Sequence, residues 1–451
     1  MKAPFMKSTL WIAAAAGCAV AAGYAAAGDR PGSLDVTEIT LSNGMTVLMA
    51  PRGEVPILSF EAMVLAGTMD EPAGKEGLSY FVGELLNRGT ESYTAQELAT
   101  FLDTMGAQLH VAPDYDYSTV SLSLLTKDAE VGLGLLREIL SAAAFSPDDV
   151  ERKRSEVLGQ LQQLKDDYVD VVRKDFYDLI YGEHPYHRPL EGTETSVAGL
   201  SREDFLDFYS TFYAPNNVLL AVVGQFDPAA MGAQIRGAFE DWPARDVPAR
   251  TPPPMPEPRR EIKTTHRDVT QATLRLGHVG LPRDDPDYVT CRLMNFVLGG
   301  AGFGSRLMGN LREDLGITYG VYSNFYPRKE PGYFFTSTQV VNDSMNVAVR
   351  EIFKEIDKIR EEGITEDELE WAKRYYTGNL PLQLQSNGQL ASLVLQQRFY
   401  GLPEEFWLKE IEGMQKVTLE EIREAARKHI HPESFALVVL GNFDEIQLEP
   451  R

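Results

Sequence analysis

The chain has little that could cross-link it and little that could bind a polyanion. Its two cysteines, Cys18 and Cys291, are too few for a disulfide scaffold. Lys and Arg number 43 against 66 Asp and Glu, a formal net charge of −23. Displacing counterions from phosphates needs concentrated Lys and Arg, and an acidic surface repels nucleic acid and anionic lipid over a Debye length, so neither is an expected ligand. Histidine is scarce as well: His110, His184, His187, His266, His278, His429 and His431 are all there are. Apolar residues are not lacking. A hydrophobic fraction of 43% with 10% aromatics excludes a disordered or collagen-like chain. At 451 residues one core is usually exceeded, and roughly two domains of about 200 residues are expected.

Lys2 and Lys7 precede a stretch without charge from Ser8 through Gly28, rich in Ala and closed by Ala25-Ala26-Ala27-Gly28. This reads as a secretory signal spanning 1–27, cleaved near Ala27, which makes the chain exported, to a periplasm or cell envelope, with no integral span afterwards. An uncleaved anchor is the alternative, although so much Ala and Gly gives weak hydrocarbon transfer energy. Lipid attachment at Cys18, which ends the small-residue run Ala15-Ala16-Gly17, is a third. Cleavage near Ala27 would leave Cys291 without an internal partner.

Seven prolines, Pro243, Pro248, Pro252, Pro253, Pro254, Pro256 and Pro258, crowd one segment and predict an extended connector over 246–260. It divides the chain into halves at 34–245 and 261–448, and these halves repeat one another. Pro215-Asn216-Asn217-Val218-Leu219-Leu220-Ala221-Val222-Val223-Gly224-Gln225-Phe226-Asp227 lies on Pro432-Glu433-Ser434-Phe435-Ala436-Leu437-Val438-Val439-Leu440-Gly441-Asn442-Phe443-Asp444 at an offset of 217. The helix starts Ser201-Arg202-Glu203-Asp204 and Thr418-Leu419-Glu420-Glu421 share that offset, each pairing an N-cap hydroxyl with an acid three residues on. A second pair of starts, at Ser146 and Thr365, is offset by 219. Each half mixes alternating strands such as Val120–Leu124 with amphipathic helices such as the one running from Pro147 toward Lys165. Strands that cluster instead of alternating with helices predict an α+β fold: two tandem copies of one domain, each a mainly antiparallel sheet packed by helices.

From Leu41-Ser42-Asn43-Gly44-Met45-Thr46-Val47 to Gly441-Asn442-Phe443 the chain resembles the pitrilysin/insulinase-like family, which includes the mitochondrial processing peptidase subunits. Active members hold zinc on an inverted H-x-x-E-H helix with Gly-Leu before it and Gly-Thr after it. Here the frame reads Gly77-Leu78-Ser79-Tyr80-Phe81-Val82-Gly83-Glu84-Leu85-Leu86-Asn87-Arg88-Gly89-Thr90. The three functional positions share one helical face and are occupied by Tyr80, Gly83 and Glu84, so both histidines and the water-activating acid are missing. Gln160 stands where the resemblance puts the third ligand, a glutamate, to within a residue. Glu84, Tyr80 and the neighbouring Glu156 are too few donors for a tight zinc site. His184-Pro185-Tyr186-His187 has Pro185 between its histidines, a loop or helix start and not a two-ligand face. No metal or other cofactor is therefore expected in this chain.

The resemblance also implies an arginine and a tyrosine, with six residues between them, in the half that faces a zinc helix across a closed chamber. Arg312 and Tyr319 have that spacing, and a guanidinium and a phenol can donate hydrogen bonds to a substrate carbonyl and to the oxyanion formed from it. A salt bridge from Arg312 to Glu313 or Asp314, and a packed strand position for Tyr319, are the plainer alternatives. Ahead of the pair, Leu298-Gly299-Gly300-Ala301-Gly302-Phe303-Gly304 lacks the G-K-[ST] ending and the G-x-G-x-x-G spacing of a phosphate loop and reads as a backbone turn against peptide, with Gly299, Gly300 and Gly302 lying against it. The family's peptide-accepting edge strand corresponds to Leu109, His110, Val111 and Ala112. Pro113, which ends it, suits an edge that need not donate there.

Together these features suggest a pseudo-peptidase: the non-catalytic, substrate-binding subunit of an exported heteromeric zinc metallopeptidase. Its partner would be a related H-x-x-E-H chain carrying the zinc, and its ligands unfolded peptides. A catalytically inactive peptide-binding or scaffold protein, as a homodimer or an envelope-complex component, is the alternative.

Overall fold

The computed structural model describes residues 32–53, 55–444, 446 and 448; the expected signal segment and Cys18 lie outside them. Among the described residues no helix is long and apolar enough to cross a membrane. Among the described residues eleven strands form two sheets. The first contains β1 (Thr37–Thr40), β2 (Thr46–Pro51), β3 (Ile57–Val64), β4 (Gln108–Pro113), β5 (Ser118–Leu125) and β6 (Val218–Gly224), in the order β1-β2-β6-β3-β5-β4. The second contains β7 (Glu261–His266), β8 (Gln271–Val279), β9 (Thr318–Tyr326), β10 (Tyr333–Val341) and β11 (Ala436–Gly441), in the order β7-β11-β8-β10-β9. Only β2 with β6 and β7 with β11 run parallel; the other pairs are antiparallel. Apart from β1 the two orders coincide, so β4 and β9 are equivalent edge strands.

Side-chain oxygens start the paired helices as the sequence indicates. Ser201 and Thr418 begin reciprocal capping boxes with Asp204 and Glu421, and Ser146 and Thr365 accept from the backbone of Asp149 and Glu368. The helix after Ser146 covers Pro147–Leu164. Residues 246–260 contain no helix or strand, and Arg250 in this stretch donates to Asp70 at 3.0 Å and Asp116 at 3.2 Å.

The closing strands β6 and β11 are buried at every position, because both of their faces are covered. Leu220 and Val222 point into the core of their own half. Leu219, Ala221 and Val223 meet Leu390, Ala391, Val394 and Leu395 from the helix Asn387–Tyr400, which belongs to the other half. The exchange is mutual: Ala436, Val438 and Leu440 of β11 meet Val172, Phe176 and Ile180 of the helix Tyr168–Tyr181. These two helices are themselves repeat-equivalent, at the offset of the second pair of helix starts. Each sheet is thus completed by the opposite half's copy of one helix, and Leu34–Arg451 forms one compact unit.

Candidate functional site

The helix that carries the zinc frame covers Leu78–Leu85. Gly77, at φ +89°, lies so close to the Glu191 carbonyl that a side chain there would collide. With no capping side chain at Gly77, the wholly buried Glu71 takes over: its carboxylate accepts from Ser79 N at 2.8 Å and Gly77 N at 3.2 Å. Burial nevertheless pushes the Glu71 carboxyl well above its ordinary range.

Tyr80, Gly83 and Glu84 share one face of this helix, turned toward β4 and the helix Pro147–Leu164. Tyr80 is hydrogen-bonded to the Gln160 side chain, and burial, with Glu84 and Glu191 nearby, pushes its phenol up to about 12. Two of the three positions matched to zinc ligands, 80 and 160, therefore converge, as a phenol and an amide. A Cβ on Gly83 would overlap Cγ of Pro113, so the edge-strand proline fills the space where a base carboxylate would begin. Glu84 Oε2 accepts from Lys153 Nζ at 3.0 Å. Lys153 also reaches Glu156 at 2.9 Å, and Arg88 reaches the same carboxylate at 3.2 Å. Contact with Lys153 holds the Glu156 carboxyl below its usual range. A phenol, a missing side chain, an amide and a carboxylate occupied by an ammonium do not fit zinc, and nothing here can activate water. The sequence reading overlooked Lys153. Its spacing of three and seven residues from Glu156 and Gln160 on one helix was the available signal.

His184 and His187 turn to different partners. His184 caps the turn Pro185–His187 by accepting from Tyr186 N at 3.2 Å; burial lowers it to about 4. His187 instead faces Asp178 at 3.2 Å. Folding brings Asp285, Asp287 and His429 together, but Lys428 Nζ lies 2.6 Å from Asp287.

In the second half the structure joins the arginine and tyrosine. Arg312 sits in the π-helical turn Gly309–Asp314, and its Nη1 donates to the carbonyl oxygen of Tyr319 at 2.6 Å. Its guanidinium lies 4.4 Å from the centre of the Phe303 ring. Neither plainer alternative describes the pair: Arg312 bonds to a backbone carbonyl and an aromatic face, and Tyr319, on the edge strand β9, is 86% exposed. The glycine-rich stretch is partly helical, because Phe296–Gly300 continues the helix Tyr288–Asn295 as a π turn. A Cβ on Gly299 would overlap Ser323 of β9, and one on Gly300 would press on Asn295. Gly302 has φ +62°. These glycines let the turn lie against β9 and set Phe303, 65% exposed, beside Arg312.

On the first edge, β4 pairs only with β5, from Gln108↔Ser123 to Pro113↔Ser118. His110 is exposed, Leu109 and Ala112 are half-buried and Val111 is buried. The predicted residues form two groups: Tyr80, Gly83, Glu84 and Gln160 beside β4, and Arg312, Tyr319 and the glycine turn beside β9.

A duplicated α+β fold whose first half keeps the frame of a zinc helix without its histidines and base defines a peptidase-like chain. Residues 57–194 match the insulinase family (peptidase family M16) and 199–376 match the peptidase M16 inactive domain, and the chain belongs to this family. An uncharacterized zinc protease of Mycobacterium leprae is 27% identical over 93% of this chain and 94% of its own. A crystal structure described as a peptidase M16 inactive domain from Pseudomonas fluorescens is 26% identical, with a TM-score of 0.85, and covers 92% of this chain and 100% of its own. The periplasmic protease PqqL of Escherichia coli shares the fold at 17% identity and a TM-score of 0.75, over 93% of this chain and 49% of its own.

Proposed function

We propose that the chain is the non-catalytic subunit of an exported heteromeric zinc metallopeptidase, binding unfolded peptide and presenting Arg312 and Tyr319 to the zinc site of a related H-x-x-E-H subunit. The observation that carries this reading is the pairing of a degenerate first half with an intact, outward-facing pair in the second. Tyr319 is 86% exposed, while its backbone carbonyl is held by Arg312 at 2.6 Å. A phenol that served only packing would be covered. Here the phenol is free to donate to a peptide carbonyl, and the guanidinium beside it adds positive charge where an oxyanion would form. The N-terminal composition supports export, and a neighbour in fold is described as a periplasmic protease.

The test is reconstitution with a candidate H-x-x-E-H chain on an unstructured peptide. Cleavage should require both chains, and R312A should lower kcat/KM by about 10² to 10³, the range for loss of one oxyanion donor. Unchanged kcat/KM would sink the role in trans. Failure of any H-x-x-E-H chain to co-purify from the native cell would favour the scaffold reading.

A further inference from the structure

The degenerate metal position is not merely damaged. Two carboxylates on different helices, Glu84 on Leu78–Leu85 and Glu156 on Pro147–Leu164, converge on one atom, Lys153 Nζ, at 3.0 and 2.9 Å. The Lys153 side chain is 9% exposed, unlike a surface lysine whose head is left in water. Arg88 shares the second carboxylate, reaching the same oxygen, Glu156 Oε2, at 3.2 Å. Beside this centre Pro113 packs on Gly83, while Glu84 and Glu156 keep 29% and 44% of their side chains exposed.

We infer that Lys153 is the resident cation of this site: its ammonium, projecting from Pro147–Leu164, ties that helix to Leu78–Leu85 through Glu84. Glu156, three residues on along its own helix, holds the ammonium from the other side of the contact, so a side chain bridges the two elements where a bound metal would. The inference stands whether or not the chain works with a catalytic partner. It makes the site an ammonium-centred lock in which charge, not coordination, sets the spacing of the helices. Removing the ammonium would leave Glu84 without its cation and Glu156 with Arg88 alone. A hard divalent cation that accepts oxygen ligands, such as Mn²⁺, would then take its place.

The experiment measures Tm of the full chain with and without about 10 mM MnCl₂, against an equal ionic strength of KCl. Wild type should respond neither to Mn²⁺ nor to EDTA. K153M, which keeps an apolar stem, should lose at least about 3 °C, and Mn²⁺ should recover half or more of that loss. K153R should stay near wild type and ignore Mn²⁺. The double variant K153M/E84Q, with one carboxylate gone, should lose the Mn²⁺ response. K153Q, whose amide can still donate to a carboxylate, replaces K153M with the same expected response if the latter does not fold. A K153M or K153Q protein whose Tm is indifferent to Mn²⁺, or a wild type that responds as strongly as they do, would overturn the inference.

Discussion

Pro113, the last residue of the first sheet's edge strand, rests on Gly83 so closely that a Cβ on the glycine would overlap its ring. The contact links two features that look unrelated in the chain: the proline that ends an edge strand and the missing base of a zinc helix. In an exposed helix, Gly→Ala stabilises by about 1 kcal/mol. At Gly83 the sign should reverse, with G83A costing about 1 to 3 kcal/mol as an overpacked core contact. Adding P113A should recover most of that loss, which a double-mutant cycle in denaturant will show as coupling. Y80H/G83E/E84H should fail to restore peptide hydrolysis while Pro113 is present; activity in that triple variant would refute the steric argument.

Tyr319 separates function from stability. Its phenol is 86% exposed, so Y319F and Y319A should leave unfolding free energy within about 0.5 kcal/mol of wild type. In the reconstituted pair Y319F should still lower kcat/KM, because only the donated hydrogen bond is gone. Equal activity for wild type and Y319F would assign the phenol no part in catalysis.

Arg328 is the cation of the junction between the halves. Its guanidinium lies 3.8 Å from the ring centre of Tyr115, 4.9 Å from Tyr186 and 5.3 Å from Tyr326. Asp114 stands 3.5 Å away. R328A should cost about 3 kcal/mol, chiefly through lost packing on three rings. R328K should rescue little, since an ammonium cannot lie flat on several rings. Denaturant midpoints of the two variants decide the matter; a near-wild-type R328K would show that charge alone is needed.

Glu61, buried on β3, accepts from Ser392 Oγ of the exchanged helix at 2.9 and 2.8 Å. Burial raises its pKa above the usual carboxylate value. A raised carboxyl pKa means the folded state holds the proton more tightly than the unfolded state. The group therefore favours folding most at low pH, and that contribution declines as pH rises from the unfolded value of 4.5 through the folded one. E61Q should raise Tm at neutral pH and flatten this group's share of the pH dependence. A lower Tm for E61Q at pH 7 would contradict the assignment.

The duplication, the capped helix starts and the mixed α+β composition were legible because local chemistry sets them. Ser146, Ser201, Thr365 and Thr418 each supply an oxygen to a helix whose first turn lacks acceptors. The replacement of the family's zinc-frame residues was legible too, since Tyr80 is not an imidazole and Gly83 carries no carboxylate. Lys153 was not legible as a partner of Glu84. Sixty-nine residues separate them, and only the packing of two helices brings ammonium to carboxylate. Nor does a motif reveal that Arg312 bonds to the backbone of Tyr319 and not to its acidic neighbours, because that depends on how the π turn lies against β9.

By itself the sequence determined that the chain is a duplicated peptidase-like α+β protein whose zinc frame lacks both histidines and the base: residue identity limits what a side chain can ligate, and periodicity limits what a segment can form. Tertiary structure decided the rest. It exchanged Tyr168–Tyr181 and Asn387–Tyr400 between the halves, buried both faces of the closing strands, put an ammonium between Glu84 and Glu156, and left Tyr319 facing outward. These depend on which apolar surfaces find one another across long stretches of chain, and hydrophobic burial is non-directional, so no local pattern encodes them.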